Sequence, residues 1–320
     1  MGTYIRTGLA GAGIACGLLL LVVSVGHNGD DDPAASTRPK SAAMTPPTGP
    51  YVALGDSYTS GPRIPAQTGR PAGCDRSDRN YPALVAKELE IKAADFRDMS
   101  CGGATLADLS APQTTGDGVN PAQLSALSAS TRLVTIGIGG NDIGFASLVK
   151  QCVQQGALFV ATGSGKYTGD DAPCRGQYVS GDTDEIRQRI RTAGESLTSA
   201  LREIERRAPR AQVYVVGYPA ILPAEGVGCD DDMTLAPADS TFLDAEERLL
   251  NSTLRDRAQA AGAGYADTYT PSTGHDACSA LRTRWVEPLL PASPAAPVHP
   301  NERGERGMAD AVLRTLRTTR

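Results

Sequence analysis

Five short apolar runs, at residues 51–54, 96–100, 133–138, 212–216 and 264–268, alternate along this chain with segments of helical spacing. Residues 81–89 and 184–207 place their apolar side chains every three to four positions. So do 242–261 and 302–316, while 120–127 and a stretch starting near Ile143 read as further helices. The resulting order is strand, helix, strand, helix, repeated to the end. Such alternation predicts a parallel sheet with helices on both faces and right-handed crossovers. Residues 133–138 are apolar without strict alternation, as expected of a central strand covered on both sides.

Each of the first three runs ends in polar or glycine-rich sequence. Residues 51–54 break into Gly55-Asp56-Ser57, 96–100 into Cys101-Gly102-Gly103, and 133–138 into Gly139-Gly140-Asn141-Asp142. Ligands in open α/β sheets bind beyond the carboxyl ends of the strands, so a hydroxyl delivered there is well placed for chemistry. Each segment alone has a plainer explanation: a turn for the first two, a helix cap for Asn141. Between the elements lie three long irregular stretches. Residues 151–181 lack periodicity and are expected to form a loop over the site, stapled by the cysteines near its ends. Residues 218–237 carry Cys229 and an acidic run, Asp230 to Asp232, read as a solvated loop. Residues 271–298 are proline-rich and hold His275, Cys278 and Trp285.

The amino-terminal part has a different pattern. An apolar segment, residues 9–25, follows Arg6, and residues 27–49 are Asp, Pro, Ser, Thr and Ala without periodicity. Residues 1–26 are expected to be a cleaved signal peptide, the alternative being a retained membrane anchor, and 27–49 a flexible linker to a domain at 50–320. Either reading puts the domain outside the cell, or on the outer face of its membrane. The cysteines agree. Cys16 lies in the leader, and the even set Cys74, Cys101, Cys152, Cys174, Cys229 and Cys278 has no CxxC pair and a single histidine, His275, near one member. Three disulfides are therefore expected and zinc is disfavoured; the sequence does not choose among the possible connectivities, of which pairing in sequence order, closing short local loops, is preferred. With 31 basic and 36 acidic residues mixed along the chain, no basic cluster marks nucleic acid as a partner.

A serine nucleophile needs a base, and histidine suits that task near neutral pH. His27 falls in the linker, which leaves His275 and His299. His299 is favoured because it stands immediately before the last helix, where a loop from the carboxyl edge would return it over Ser57.

Gly55-Asp56-Ser57, Gly103, Gly139-Gly140-Asn141-Asp142 and His299-Pro300-Asn301 resemble, in order and spacing, the four blocks of the SGNH, or GDSL, hydrolases. The pattern is most similar to their secreted, disulfide-bonded esterases and lipases of actinomycete type and covers nearly all of residues 50–320. That resemblance implies a flavodoxin-like three-layer α/β/α sandwich with a five-stranded parallel sheet. It also implies Ser57 as nucleophile, His299 as base, and an oxyanion hole formed by the Ser57 and Gly103 N–H groups and the Asn141 amide. No cofactor or metal is implied. The expected activity is hydrolysis of a small-molecule or lipid ester by a monomer, at a membrane or lipid surface where the substrate is lipid. Deacetylation of a polysaccharide by the same mechanism, and a non-catalytic binding protein on the same scaffold, are the alternatives.

The chain departs from the family's common pattern at one place. Where an aspartate usually stands three residues before the histidine, this chain has Ala296. A Ser57–His299 dyad is expected, with a backbone carbonyl, most simply that of Ala296, orienting the imidazole. A remote acid, Asp276 or Asp267, is the competing arrangement.

Overall fold

In the computed structural model the described residues are 47–162, 167–168, 170–181, 183–224, 229 and 233–318. The leader, the linker up to residue 46 and the acidic run 230–232 lie outside them. The chain divides into Met1–Ala42 and Ala43–Arg320, and the fold and the site belong to the second unit.

Strands β1 (Tyr51–Gly55), β2 (Phe96–Asp98), β3 (Leu133–Gly137), β4 (Gln212–Val216) and β5 (Gly264–Ala266) form one sheet in the order β5-β4-β3-β1-β2. All neighbours are parallel, with Tyr51 opposite Leu133 and Gly55 opposite Gly137. The period of two along a strand sorts its side chains into two cores. Tyr51, Ala53, Leu133, Tyr214 and Val216 face one helical layer, whereas Val52, Leu54, Val134, Ile136 and Val215 face the other. This makes the molecule a three-layer α/β/α sandwich.

The first layer holds α2 (Tyr81–Glu88) and the carboxyl-terminal helix α7 (Glu302–Thr318). Asn80 caps α2 by accepting from the Ala83 N–H, and Val312, Leu313 and Leu316 bury the apolar stripe of α7. The second layer holds α3 (Phe145–Ala161), α4 (Glu185–Arg207) and α5 (Pro237–Ala260). Asp184 caps α4, whose Ile186, Ile190, Leu197, Leu201 and Ile204 are buried as their spacing requires. Two one-turn helices, α1 (Ser57–Ser60) and α6 (Tyr269–Ser272), follow β1 and β5. No helix of the described residues is long and apolar enough to cross a membrane.

Two sequence expectations are corrected. Residues 151–181 are not all loop, because α3 runs on to Ala161 and buries Phe145, Leu148, Val149, Cys152 and Gly156. A helical period was present there but weak, since one of its members is a glycine. A Cβ at Gly156 would lie 2.0 Å from the Thr234 carbonyl oxygen, so the side chain is excluded by close backbone approach. Residues 120–127 form only a single 3-10 turn, Gln123–Ala126. Gln123 instead acts as a strand substitute: its amide accepts from the Gly55 N–H at 2.8 Å and donates to the Gly55 carbonyl at 2.9 Å.

The disulfides pair in sequence order, Cys74–Cys101, Cys152–Cys174 and Cys229–Cys278. The first joins the loop after α1 to the end of β2. The second ties α3 to the irregular segment beyond it.

Candidate active site

The sheet order reverses between β1 and β3, and a crevice opens there beyond the strand ends. Into it β1 delivers Ser57. Asp56, itself still extended, caps α1, its Oδ1 accepting from the Tyr58 N–H at 2.9 Å, and Gly61 ends the turn in left-handed conformation. The turn is tight enough that Gly55 is obligatory. A Cβ at Gly55 would sit 2.2 Å from Thr59 Oγ1 and 2.6 Å from the Gly137 carbonyl oxygen.

The second glycine segment is held beside this turn by the Cys101 N–H, which donates to the Gly55 carbonyl at 3.0 Å. Gly103, two residues on, is exposed with φ +74°. Asn141, from the β3 end, reaches the same loop by donating to the Ala104 carbonyl at 2.9 Å. It does not cap α3, whose cap position is Gly144. Its second amide hydrogen is left for another acceptor. The N–H groups of Ser57 and Gly103 bond to no other described group.

His299 comes from the far end of the chain. Its Nε2 lies 2.8 Å from Ser57 Oγ and its Nδ1 2.7 Å from the Pro297 carbonyl oxygen. A carbonyl can only accept, so Nδ1 carries the proton and Nε2 is free to accept from the serine. The orienting group is thus a backbone carbonyl, but not that of Ala296, which accepts instead from the backbone N–H of His299 at 3.2 Å. The shift by one residue has a local cause. Val298 is held at φ +59°, a left-handed conformation that a β-branched residue rarely adopts, and this turns the Pro297 carbonyl under the ring. Neither remote acid reaches the imidazole: Asp267 accepts from the Thr270 N–H and Asp276 from the Cys278 N–H. His275 is stacked on Trp285, with Nδ1 bonded to the Thr283 carbonyl oxygen.

Two tyrosines that sequence reasoning missed complete the arrangement. The Tyr58 ring lies 4.9 Å from that of His299, and its hydroxyl donates to the Val298 carbonyl at 2.5 Å, bracing the strained residue. Tyr218 donates to Asp56 Oδ2 at 2.5 Å and accepts from the Gly140 N–H at 2.8 Å, joining the β1 turn to the β3 turn. The signal for Tyr218 was its place just past the apolar run of β4, at the same sheet edge as the other three segments. Tyr58 had no local signal beyond its neighbour Ser57.

Burial sets the protonation of this cluster. It lowers the pKa of half-buried His299 below 6.5, partly opposed by the bond to Pro297 and reinforced by Arg63. Asp56 is raised to about 7 by burial, against the hydrogen bonds from Tyr218 and Tyr58, and Asp142 to about 6 by burial, against that from the Leu106 N–H. Beside the dyad opens an apolar cavity of about 220 Å³, walled by Phe145, Val149, Ile221, Leu250 and Leu289. Ser57, Asn141 and His299 border it, whereas Gly103 does not. Among the described residues no cluster of three or more His, Cys, Asp or Glu is placed to hold a metal.

A hydroxyl, a correctly tautomeric imidazole and free N–H donors at the switch point of a parallel sandwich define the class of SGNH hydrolases. The model of the GDSL-like Lipase/Acylhydrolase family matches residues 53–306, and the chain belongs to that family. Lipase 2 of Streptomyces coelicolor is 38% identical over 257 residues, covering 80% of this chain and 81% of that protein. Among solved structures, the phospholipase A1 of Streptomyces albidoflavus NA297 superposes with a TM-score of 0.68 at 28% identity. It spans 84% of this chain and 100% of its own. The extracellular lipase of Streptomyces rimosus superposes at 0.65 with 27% identity and the same coverage of both chains. The protein is an ester hydrolase of the esterase and lipase type.

Proposed function

We propose that this protein is a secreted serine esterase acting on lipid esters through an acyl-enzyme. His299 Nε2 takes the Ser57 proton as Oγ attacks the ester carbonyl, then returns it to the leaving alcohol, and water repeats the cycle on the acyl group. The single observation that carries this reading is the 2.8 Å approach of Nε2 to Oγ, with Nδ1 held by a carbonyl. The Pro297 carbonyl substitutes for the missing carboxylate in orienting the ring, though it brings no full negative charge to the imidazolium. The oxyanion would be met by the N–H groups of Ser57 and Gly103 and the Asn141 amide. Donors fixed in advance at such a position are worth about 3 to 4 kcal/mol each.

The walls of the cavity favour a hydrocarbon acyl group over a sugar, which supports lipase over polysaccharide deacetylase. Likeness to a phospholipase A1 over that protein's whole length supports glycerophospholipid as one substrate. Export is supported by the three disulfides and by the apolar leader in the sequence. The test is hydrolysis of p-nitrophenyl esters from acetate to palmitate, with phosphatidylcholine and acetylated xylan alongside, by wild type and Ser57→Ala in EDTA. Activity on acyl esters that vanishes in the variant is the expected result. Preference for acetylated xylan would overturn the lipid assignment, and an unimpaired Ser57→Ala protein the mechanism.

A further inference from the structure

Two elements that wall the apolar cavity are nearly free of charge. One is α3, through Phe145, Ala146, Val149 and Lys150, and the other is the segment 288–298, through Leu289, Pro297 and Val298. Across both, Lys150 alone is charged, in a chain where 21% of residues are. Burial does not account for that composition, since Ala146, Lys150, Ala157 and Val160 on α3 are all exposed, Val160 by 50%. Ala146, Val149, Val153 and Val160 recur at intervals of three, four and seven, so an apolar stripe starts at the cavity and runs on along the helix.

Leu290 extends this rim. It is 87% exposed, more than any other large apolar side chain among the described residues, and its Cα is about 3.8 Å along the chain from that of cavity-lining Leu289. The turn that carries it is fastened at its base. Glu287, fully buried, accepts through Oε2 from the Ala292 N–H at 2.9 Å and the Ser293 N–H at 3.2 Å, and through Oε1 from the Asn301 amide at 2.7 Å. Pro288 and Pro291 flank the two leucines. A single exposed leucine is ordinary, but one held out by a pinned turn beside a rim without charge forms part of a patch.

The charge presented at this opening is positive. Lys150 lines the cavity, is exposed and makes no ion pair among the described residues; exposed Arg63, near enough to His299 to disfavour its imidazolium, makes none either. The two acids that line the cavity, Asp56 and Glu247, are each 1% exposed.

Resting on the lipid-ester reading of the site, we infer that this face docks on an anionic lipid surface, with Leu290 entering the acyl region and Lys150 and Arg63 meeting the headgroups. Seating a protein on a bilayer strips water from its rim, which costs most for charged side chains, and here those are almost absent. The basic side chains that remain are attracted to a negative leaflet. An acyl chain then passes from the bilayer into the cavity beside Ser57 with little exposure to water.

The experiment uses vesicles of phosphatidylglycerol and of phosphatidylcholine. Leu290→Trp, in a Ser57→Ala background so that lipid is not consumed, should shift its emission to the blue with phosphatidylglycerol and be quenched by bromine-labelled acyl chains. The Ser57→Ala protein alone gives the signal of Trp285, the one native tryptophan, for subtraction. With Ser57 intact, Leu290→Asp should lower hydrolysis of phosphatidylglycerol vesicles at least about tenfold and leave that of dissolved p-nitrophenyl butyrate unchanged. Lys150→Gln should narrow the preference for phosphatidylglycerol vesicles about fivefold. An unshifted tryptophan overturns the proposal, as does equal insertion into both lipids or a Leu290→Asp loss of the same size on the dissolved ester. A shift that grows with protein concentration without vesicles would assign the face to a second copy of the chain and overturn it too. Failure of wild type on p-nitrophenyl butyrate would instead count against the hydrolase reading, while the fluorescence still decides the docking.

Discussion

The two helical layers of the sandwich meet the same five strands and solve different problems. The α2/α7 layer is closed: Tyr81, Val85, Met308, Val312 and Leu316 pack on Tyr51, Ala53 and Tyr214, all buried. Its buried Glu305 accepts from the Tyr81 N–H at the start of α2 at 2.7 Å through Oε2, while its Oε1 has no hydrogen-bond partner. The α3/α4/α5 layer is interrupted by a cavity, bordered by a valine in left-handed conformation. Unfilled space and the left-handed Val298 both lower stability, and both border the crevice that holds Ser57 and His299.

That contrast is open to direct attack. Ser57→Ala or His299→Ala should lower kcat/KM by at least about 10⁴-fold while leaving the melting transition in place, because neither side chain belongs to a core. A variant that unfolds would show that the dyad also holds the structure together. Asn141→Ala should cost about 10²- to 10³-fold in kcat with KM little changed, because the oxyanion role proposed for its amide concerns charge that exists only in the transition state. Loss confined to KM would assign Asn141 to ground-state binding. In the closed layer the signature reverses. Leu316→Ala should destabilise by about 2 to 4 kcal/mol in denaturant titration with the kcat of the folded fraction unchanged.

The smallest effect is a pH shift. The proposed base His299 acts in its neutral form, and burial has lowered its pKa below the ordinary value of 6.5. Activity should therefore persist below pH 6.5 and be lost only as pH falls through the lowered value, read as the acid limb of kcat/KM. A midpoint above 6.5 would mean that a negative charge reaches the imidazole. Asp56 contributes in the stability profile with the opposite sense. With its folded pKa raised to about 7, the folded state holds a proton that the unfolded chain releases near pH 4, so stability falls between those values as pH rises. Asp56→Asn should flatten that slope.

The strands and their glycine-rich ends were legible because a buried parallel strand is a local pattern, an apolar run broken by residues that can turn. So were Ser57, Asn141 and His299, each placed beside an element boundary. The second half of α3 was hidden because Gly156 occupies a core position where only a neighbouring backbone, that of Thr234, explains the missing side chain. Counting back three residues from His299 led to Ala296, whereas the ring nitrogen takes Pro297.

The sequence alone determined the order of the strands, an even set of six cysteines to be paired, and which hydroxyl and imidazole could meet; which cysteines pair was decided by the fold. Each arises from spacing or from the scarcity of a residue type, both properties of the chain as a line. Only the tertiary structure decided which carbonyl steadies His299, that Tyr218 links two turns, and that Leu289 lines a cavity. Those outcomes depend on backbone direction at Val298 and on partners as far as 162 residues apart in the chain, as Asp56 and Tyr218 are. Hydrogen bonds are directional and burial is collective, so neither can be read from neighbours in sequence.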